Sequence, residues 1–217
     1  MYASHTRFLA AAACLAVAVL TSACAQPADA SREITGAQLY RACVACHGPD
    51  AGGDTVQGAP AIAGLPEWYI ASQLERFQTG LRGKHPDDVE GLRMRPMSMQ
   101  VRNEAERHAV AAYVAGLPRV VTAATISADP AAGQQAYAMC LACHGPSGEG
   151  NQEVNAPPLA GLDDWYVALQ IRKFRSGIRG TAPGDALGPV MAAMSMAITP
   201  DAVDSVAAYV HALPPQP

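Results

Sequence analysis

Cys43-Val44-Ala45-Cys46-His47 and Cys140-Leu141-Ala142-Cys143-His144 repeat one Cys-x-x-Cys-His pattern 97 residues apart. The remaining cysteines, Cys14 and Cys24, both fall within the first 25 residues. Four chemistries can use such a pair of thiols. A structural zinc ion needs four ligands, and a His directly after the second Cys points away from a metal held by the loop. A thioredoxin-like dithiol needs strand–helix–strand surroundings that are missing here. A disulfide gives His47 and His144 no reason for their positions. Covalent haem attachment uses all five positions, because two thiols add across two vinyl groups and the adjacent His rises to the iron from the same helical turn. Two copies therefore point to two covalently bound haem c groups. Cys43, Cys46, Cys140 and Cys143 would form the thioethers, and His47 and His144 would each ligate one iron.

The opposite ligand decides between open-site chemistry and electron transfer. A Met lies 47 residues after each His, at Met94 and Met191. A thioether raises the reduction potential, and His/Met ligation closes both axial positions to oxygen and peroxide. Met in an Ala-rich domain also serves as core filler, but "MRPMSMQV" and "MAAMSMAI" hold three each in segments otherwise poor in apolar bulk. The first Met of each segment is the expected iron ligand, with Met97 and Met194 as the alternatives.

The elements that must position these groups are also written twice. Gly36, Tyr40, Pro60, Trp68, Tyr69, Gln73, Phe77, Arg82 and Met94 all recur 97 residues on, and "VAAYV" recurs at 96 after one residue is lost past Ile198. A whole domain is duplicated. Each copy reads as three helices with long loops. The first helix carries the Cys pair; in the second copy Asp129 and Pro130 supply its N-cap and first turn. The second runs from Pro66 to Gly80 and from Asp163 to Gly177, with Ile70, Leu74, Phe77, Leu81 and Val167, Ile171, Phe174, Ile178 on one face. The last starts at Asn103 and at Thr199. No stretch alternates with a period of two, so the class is all-α. Gly- and Pro-rich loops such as "GPDAGGDTVQGAPAIAG" are long for a compact domain unless they wrap a ligand. The expected boundaries are 32–118 for the first domain, 119–132 for a linker and 133–214 for the second domain.

Residues 1–25 read as a signal peptide, with Arg7, the apolar run "FLAAAACLAVAVL" and small residues at 23 and 25. That implies export. Cys24 in "LTSAC" resembles a lipobox but has Thr21 where a large aliphatic residue is wanted; a lipid anchor on Cys24 would add membrane association. The net charge of −4 and the absence of like-charge blocks argue against a nucleic-acid partner.

These residues resemble the class I cytochromes c, and the duplication, together with "P-x-[IL]-A-G-L", resembles the two-haem cytochrome c4 type. The match rests on Cys43 to His47, Pro60, Met94, Gly36 and Tyr113, and on Cys140 to His144, Pro157, Met191, Gly133 and Tyr209. The resemblance implies two tandem domains of about three helices, each wrapped round one haem. It implies that the first helix crosses the last at Gly36 and Gly133, and that the carbonyls of Pro60 and Pro157 hold the proximal His rings. Trp68 and Trp165 would pack near the haems. Arg82 and Arg179 would either pair with haem propionates or sit solvated, and His85, His108 and His211 belong to the surface. The implied function is a periplasmic electron carrier docking transiently with redox proteins, such as a quinol-oxidising complex and a terminal oxidase, with no catalytic residue. The alternatives are the electron-accepting subunit of a periplasmic dehydrogenase, for example a flavocytochrome, and a diheme enzyme such as a peroxidase.

The copies differ in charge. Met94 is flanked by Arg93 and Arg95, Met191 by Val190 and Ala192; Lys plus Arg against Asp plus Glu is 10 to 10 over 32–119 and 4 to 7 from 130 on. Fixed positive charge favours the reduced haem. The first haem should therefore have the higher midpoint potential. Spectroelectrochemistry of separately expressed halves measures this, and a lower midpoint for the first half would refute it.

Overall fold

The computed structural model describes residues 34–215, and each half begins with a helix that the Cys motif breaks. Thr35 caps α1 (Gly36–Tyr40) through a capping box, its Oγ1 accepting from the Gln38 N–H while the Gln38 side chain accepts from the Thr35 N–H. The chain then tightens into i→i+3 bonds, Ala42 N–H to Leu39 O and Cys43 N–H to Tyr40 O, before α2 (Val44–His47). The first helix is thus two short helices joined by a turn. The expected leader, Cys24 and the first two residues of the domain that was expected to start at 32 lie outside the described residues.

Next come α3 (Glu67–Thr79), ended by Gly80 at φ 81°, then α4 (Val89–Ser98) and α5 (Glu104–Ala115). The second half repeats the order in α6 (Pro130–Tyr137), α7 (Leu141–His144), α8 (Asp164–Arg175), α9 (Gly188–Ala197) and α10 (Val203–Ala212). Asp129 caps α6 with Pro130 in its first turn, and a short 3-10 turn, Pro200–Ala202, precedes α10. The Met segments add a helix to each half beyond the three that periodicity indicates. Asp88 caps α4 by accepting from the Gly91 N–H, and Asp185 accepts from the Gly188 N–H at the start of α9. Among the described residues there are two isolated β-bridges, Asp54–Ala59 and Asn151–Ala156, and no strand. No described helix is long and apolar enough to cross a membrane.

The repeated "VAAYV" forms the inner faces of α5 and α10, where Val110, Ala111, Val114, Val206, Ala207 and Val210 are buried. Against them lie α1 and α6, with Tyr40 on Tyr113 at 5.4 Å between ring centroids and Tyr137 on Tyr209 at 5.3 Å. The crossing is close enough that a Cβ on Gly36 would lie 2.0 Å from the Ala109 oxygen, and one on Gly133 would lie 1.9 Å from the Ser205 oxygen.

Between the halves, residues 118–129 form no regular element and are tied along the second half. Arg119 donates to the Ala160 carbonyl, Thr122 Oγ1 to Asp163, and Thr125 and Ile126 to Asp164. Burial alone would push the Asp164 carboxyl up, but bonds from the Ile126 N–H, the Thr125 hydroxyl and N–H, and the Trp165 N–H outweigh it and hold it below the usual range. A depressed carboxyl contributes stability that is complete above its unfolded pKa of about 4 and is lost as pH falls through the folded value. Asp164→Asn should therefore cost about 2 kcal/mol at pH 7 and flatten the acid limb of the stability curve. Thermal melts at pH 7 and pH 3 check both effects; an unchanged acid limb would deny Asp164 this role.

Candidate functional site

His47 ends α2 and His144 ends α7, and both are buried. His47 Nδ1 lies 3.0 Å from the Pro60 oxygen and His144 Nδ1 lies 2.9 Å from the Pro157 oxygen. A carbonyl only accepts, so each Nδ1 carries the ring proton and Nε2 keeps its lone pair. Burial pushes both imidazoles down, against the opposing pull of the carbonyl, so the rings are neutral at pH 7. The loop beneath is pinned by Gly53 N–H to the His47 oxygen at 2.9 Å and Gly150 N–H to the His144 oxygen at 2.8 Å. Gly53 has φ 80°, and a Cβ there would lie 2.5 Å from the Ala61 nitrogen. Only glycine lets this loop pass under Pro60.

One turn earlier stand the thiols. Cys43 and Cys140 are half-buried, Cys46 and Cys143 exposed, and none of the four is in a disulfide. Burial pushes the Cys43 and Cys140 thiols up to about 11, so they are neutral at pH 7. Among the described residues no three His, Cys, Asp or Glu side chains cluster as a metal site, which leaves a zinc ion without its third and fourth ligands.

Each His and its two Cys line one side of a mainly apolar cavity. Met94 and Met97 line the same cavity as His47, and Met191 and Met194 that of His144. Met94 and Met191 are half-buried, whereas Met97 and Met194 are each 39% exposed. The Met helices are held from behind at their C-terminal carbonyls. Gln78 Nε2 donates to Ser98 O and Val101 O, and Arg175, its counterpart, donates to Ser195 O and Ile198 O. The donor set of two thiols, a neutral imidazole presenting Nε2 and a thioether on an apolar cavity fits haem c.

The cavities share a wall. Tyr69, Gln73, Tyr166 and Gln170 line both, so α3 closes the second cavity and α8 the first. Arg82 donates to Gln73 at 2.9 Å, Tyr166 at 2.9 Å and Gln170 at 3.2 Å, while Arg179 donates to Gln170 at 2.7 Å and Gln73 at 3.1 Å. These arginines are not surface groups; each also lies over a ring of its own half, Phe77 or Phe174. Burial and the neighbouring Arg82 push Arg179 down to about 10. Arginine does not surrender its proton under such conditions, and among the described residues no carboxylate hydrogen-bonds to either guanidinium, so the wall favours anionic groups beside it.

Arg76 and Lys173, 97 residues apart, flank this wall with ion pairs to the other half, and the Arg76–Asp185 and Lys173–Asp88 pairs obey the same pseudo-twofold relation. Arg76 meets Asp185, and Lys173 meets Asp88 and Glu90, each at 2.5 Å. Positional reasoning overlooked this interface, although the repeat of Tyr69, Gln73 and Arg82 at 97 residues was its signal. Trp68 lines the cavity of the opposite half and Trp165 lines neither. His108 is exposed, whereas His211 is half-buried with Nδ1 2.9 Å from the Leu162 oxygen.

The sequence matches the cytochrome c family over residues 34–118 and again over 130–214. A thiosulfate dehydrogenase electron acceptor of Stutzerimonas stutzeri is 34% identical over 88% of this chain and 89% of its own length. The solved thiosulfate dehydrogenase TsdBA of Marichromatium purpuratum superposes with TM-score 0.68 at 31% identity, over 82% of this chain; the match spans 40% of that longer chain. Reduced cytochrome c4 of Pseudomonas stutzeri superposes with TM-score 0.63 at 26% identity, over 82% of this chain and 96% of that one.

Proposed function

The chain belongs to the cytochrome c family as a two-haem electron-transfer protein of the cytochrome c4 type, and we propose that the residues around the two cavities are its working parts. Bound haem supplies reversible one-electron iron chemistry. Cys43 and Cys46 would tether the first group covalently, and Cys140 and Cys143 the second. His47 and His144 would ligate iron through Nε2, while Pro60 and Pro157 hold the proton on Nδ1 and fix each ring plane. Met94 and Met191 would supply the thioether ligands, because each is half-buried on its cavity while Met97 and Met194 are exposed. Arg82 and Arg179 would offer their guanidinium charge to anionic groups of the haems at the shared wall. The observation that carries this reading is the duplicated His–Pro bond with a Met helix lining the same cavity.

A chain built this way moves electrons and catalyses no bond-making of its own. Its partners are redox proteins docking transiently, in the periplasm if residues 1–25 are removed on export, with a lipidated Cys24 as the membrane-bound variant. A quinol-oxidising complex and a terminal oxidase suit such a carrier. The second reading, an electron-accepting subunit of a dehydrogenase, is favoured by the acceptor relative and by the TsdBA match. Optical redox titration of the purified holoprotein tests the carrier role. It should take up two electrons per chain reversibly and leave both irons closed to added peroxide; an iron that opens on half-reduction would contradict it. Native mass spectrometry with a dehydrogenase separates the readings, since only the second expects a lasting complex.

A further inference from the structure

Asp163 occupies the N-cap position of α8, yet its side chain makes no capping bond to that helix. It is 3% exposed and turns instead to the first half, accepting from the Ala61 N–H at 2.8 Å, and to the Thr122 hydroxyl of the linking segment. An Asp in this position ordinarily satisfies the first turn of its own helix. The diversion has its reason at the other end of the bond.

That end is the peptide that holds His47. The Ala61 N–H and the Pro60 carbonyl belong to one peptide unit, and the carbonyl accepts from His47 Nδ1 at 3.0 Å. His47 Nδ1–H, Pro60 C=O, Ala61 N–H and the Asp163 carboxylate therefore form one continuous chain. Amide resonance links the two ends of a peptide. An anionic acceptor on the N–H puts more electron density on the oxygen, and successive hydrogen bonds strengthen one another. Arg119, bound to the Ala160 oxygen, is close enough to feel the Asp163 charge. That offsets the carboxylate's field at longer range and leaves the hydrogen bond as its main route to the peptide.

The second half lacks this chain although its backbone takes the same course. A Cβ on Gly53 would lie 2.5 Å from the Ala61 nitrogen and 2.6 Å from the Pro60 carbonyl carbon; one on Gly150 would lie 2.5 Å from the Pro158 nitrogen and 2.6 Å from the Pro157 carbonyl carbon. Pro158 stands where the first half has Ala61 and carries no N–H, and the counterpart of Asp163 is Pro66. His144 thus meets a carbonyl whose peptide has nothing to donate.

We propose that Asp163 is a positioning residue for the iron ligand of the other half: by accepting from the Ala61 N–H it strengthens the His47–Pro60 bond and lowers the midpoint potential of the first haem alone. This role rests on the reading of His47 as an iron ligand. A stronger bond at Nδ1 makes the imidazole a better donor at Nε2, which favours the oxidised iron. It opposes the positive charge of Arg93 and Arg95.

The test is a redox titration of the holoprotein with each haem followed by NMR, in wild type and Asp163→Asn. Asparagine keeps the shape and drops the charge. The reduction equilibrium of the first haem should shift roughly fivefold toward the reduced form, short of the tenfold or more that loss of a direct outer-shell partner costs. The His47 Nδ1 proton should move upfield in the reduced protein while that of His144 stays. Asp164→Asn is the control, because it removes a neighbouring carboxylate and loosens the same segment without touching Ala61; it should move neither potential. In an Ala61→Pro background, which copies the second half, Asp163→Asn should have no further effect. An unchanged first midpoint, equal shifts of both haems, a matching shift from Asp164→Asn, or an Asp163→Asn shift that survives Ala61→Pro would each overturn the proposal. So would a wild-type Ala61 amide nitrogen without scalar coupling to the Asp163 carboxylate carbon, a measurement that needs no variant. If the His47 ring protons lack hyperfine shifts in the oxidised wild type, the ligand reading itself fails, and the proposal with it.

Discussion

Met94→Ala and Met191→Ala, made singly, should each turn one low-spin iron high-spin and leave the other unchanged. The thioether is a weak-field but sufficient partner to imidazole, and its loss leaves one axial position to water. Small ligands such as cyanide and carbon monoxide should then bind that iron rapidly. The midpoint potential of the altered haem should drop by on the order of 0.2 V, a fraction of the roughly 0.8 V that axial ligands span. The direction follows from the preference of the soft sulfur for the reduced iron. Met97→Ala and Met194→Ala are the matched controls, since these side chains lie on the same cavities but are partly exposed. They should leave spin state and potential nearly unchanged. If Met97→Ala opens the iron and Met94→Ala does not, the ligand has been placed one helical turn away from its true position.

Gly36→Ala and Gly133→Ala should be the most damaging single-methyl changes in the chain. A Cβ on Gly36 would meet the Ala109 oxygen at 2.0 Å and the Tyr113 Cβ at 2.7 Å; on Gly133 it would meet the Ser205 oxygen at 1.9 Å and the Tyr209 Cβ at 2.8 Å. Backbone atoms cannot swing aside as a flexible side chain can, so the crossing helices must separate and strip contacts from Val110, Val114, Val206 and Val210. The cost should reach about 3 kcal/mol, the upper end of overpacking, and lower Tm by on the order of 10 °C. Gly116→Ala is the control, because its nearest neighbour would be at an ordinary 3.5 Å and its φ is −79°. Thermal melts of the three holoproteins decide; equal Tm values would mean that the helices do not cross at these glycines.

Much of the site could be read from residue order because covalent haem attachment imposes a local motif. Cys43 to His47 lie within one turn, and the Pro60 carbonyl lies a fixed loop length away, closed by Gly53. The Met helices were harder. In α4 only Gly91 and Ser98 are buried, Leu92 and Met97 are exposed, and Pro96 sits inside the helix, so no apolar stripe marks it. In α9 every residue but Ser195 is apolar or glycine, which hides a period just as effectively. The shared wall escaped for a different reason. Tyr69 and Gln73 occupy the polar face of α3, where solvent is the ordinary expectation, and only the pseudo-twofold pairing of two halves converts that face into an interface. Of the two expectations for Arg82 and Arg179, the solvated one gives way to burial in the wall on the same account. The ion pairs Arg76–Asp185 and Lys173–Asp88 join residues 109 and 85 positions apart, a separation no local pattern reports.

Electron paramagnetic resonance of the oxidised holoprotein, combined with near-infrared spectroscopy, asks most directly whether each iron is held between imidazole and thioether. Two low-spin ferric signals per chain, each accompanied by a sulfur-to-iron charge-transfer band that disappears on reduction, are the expected result. A high-spin signal from either iron in the resting protein, or low-spin irons without that band, would contradict it.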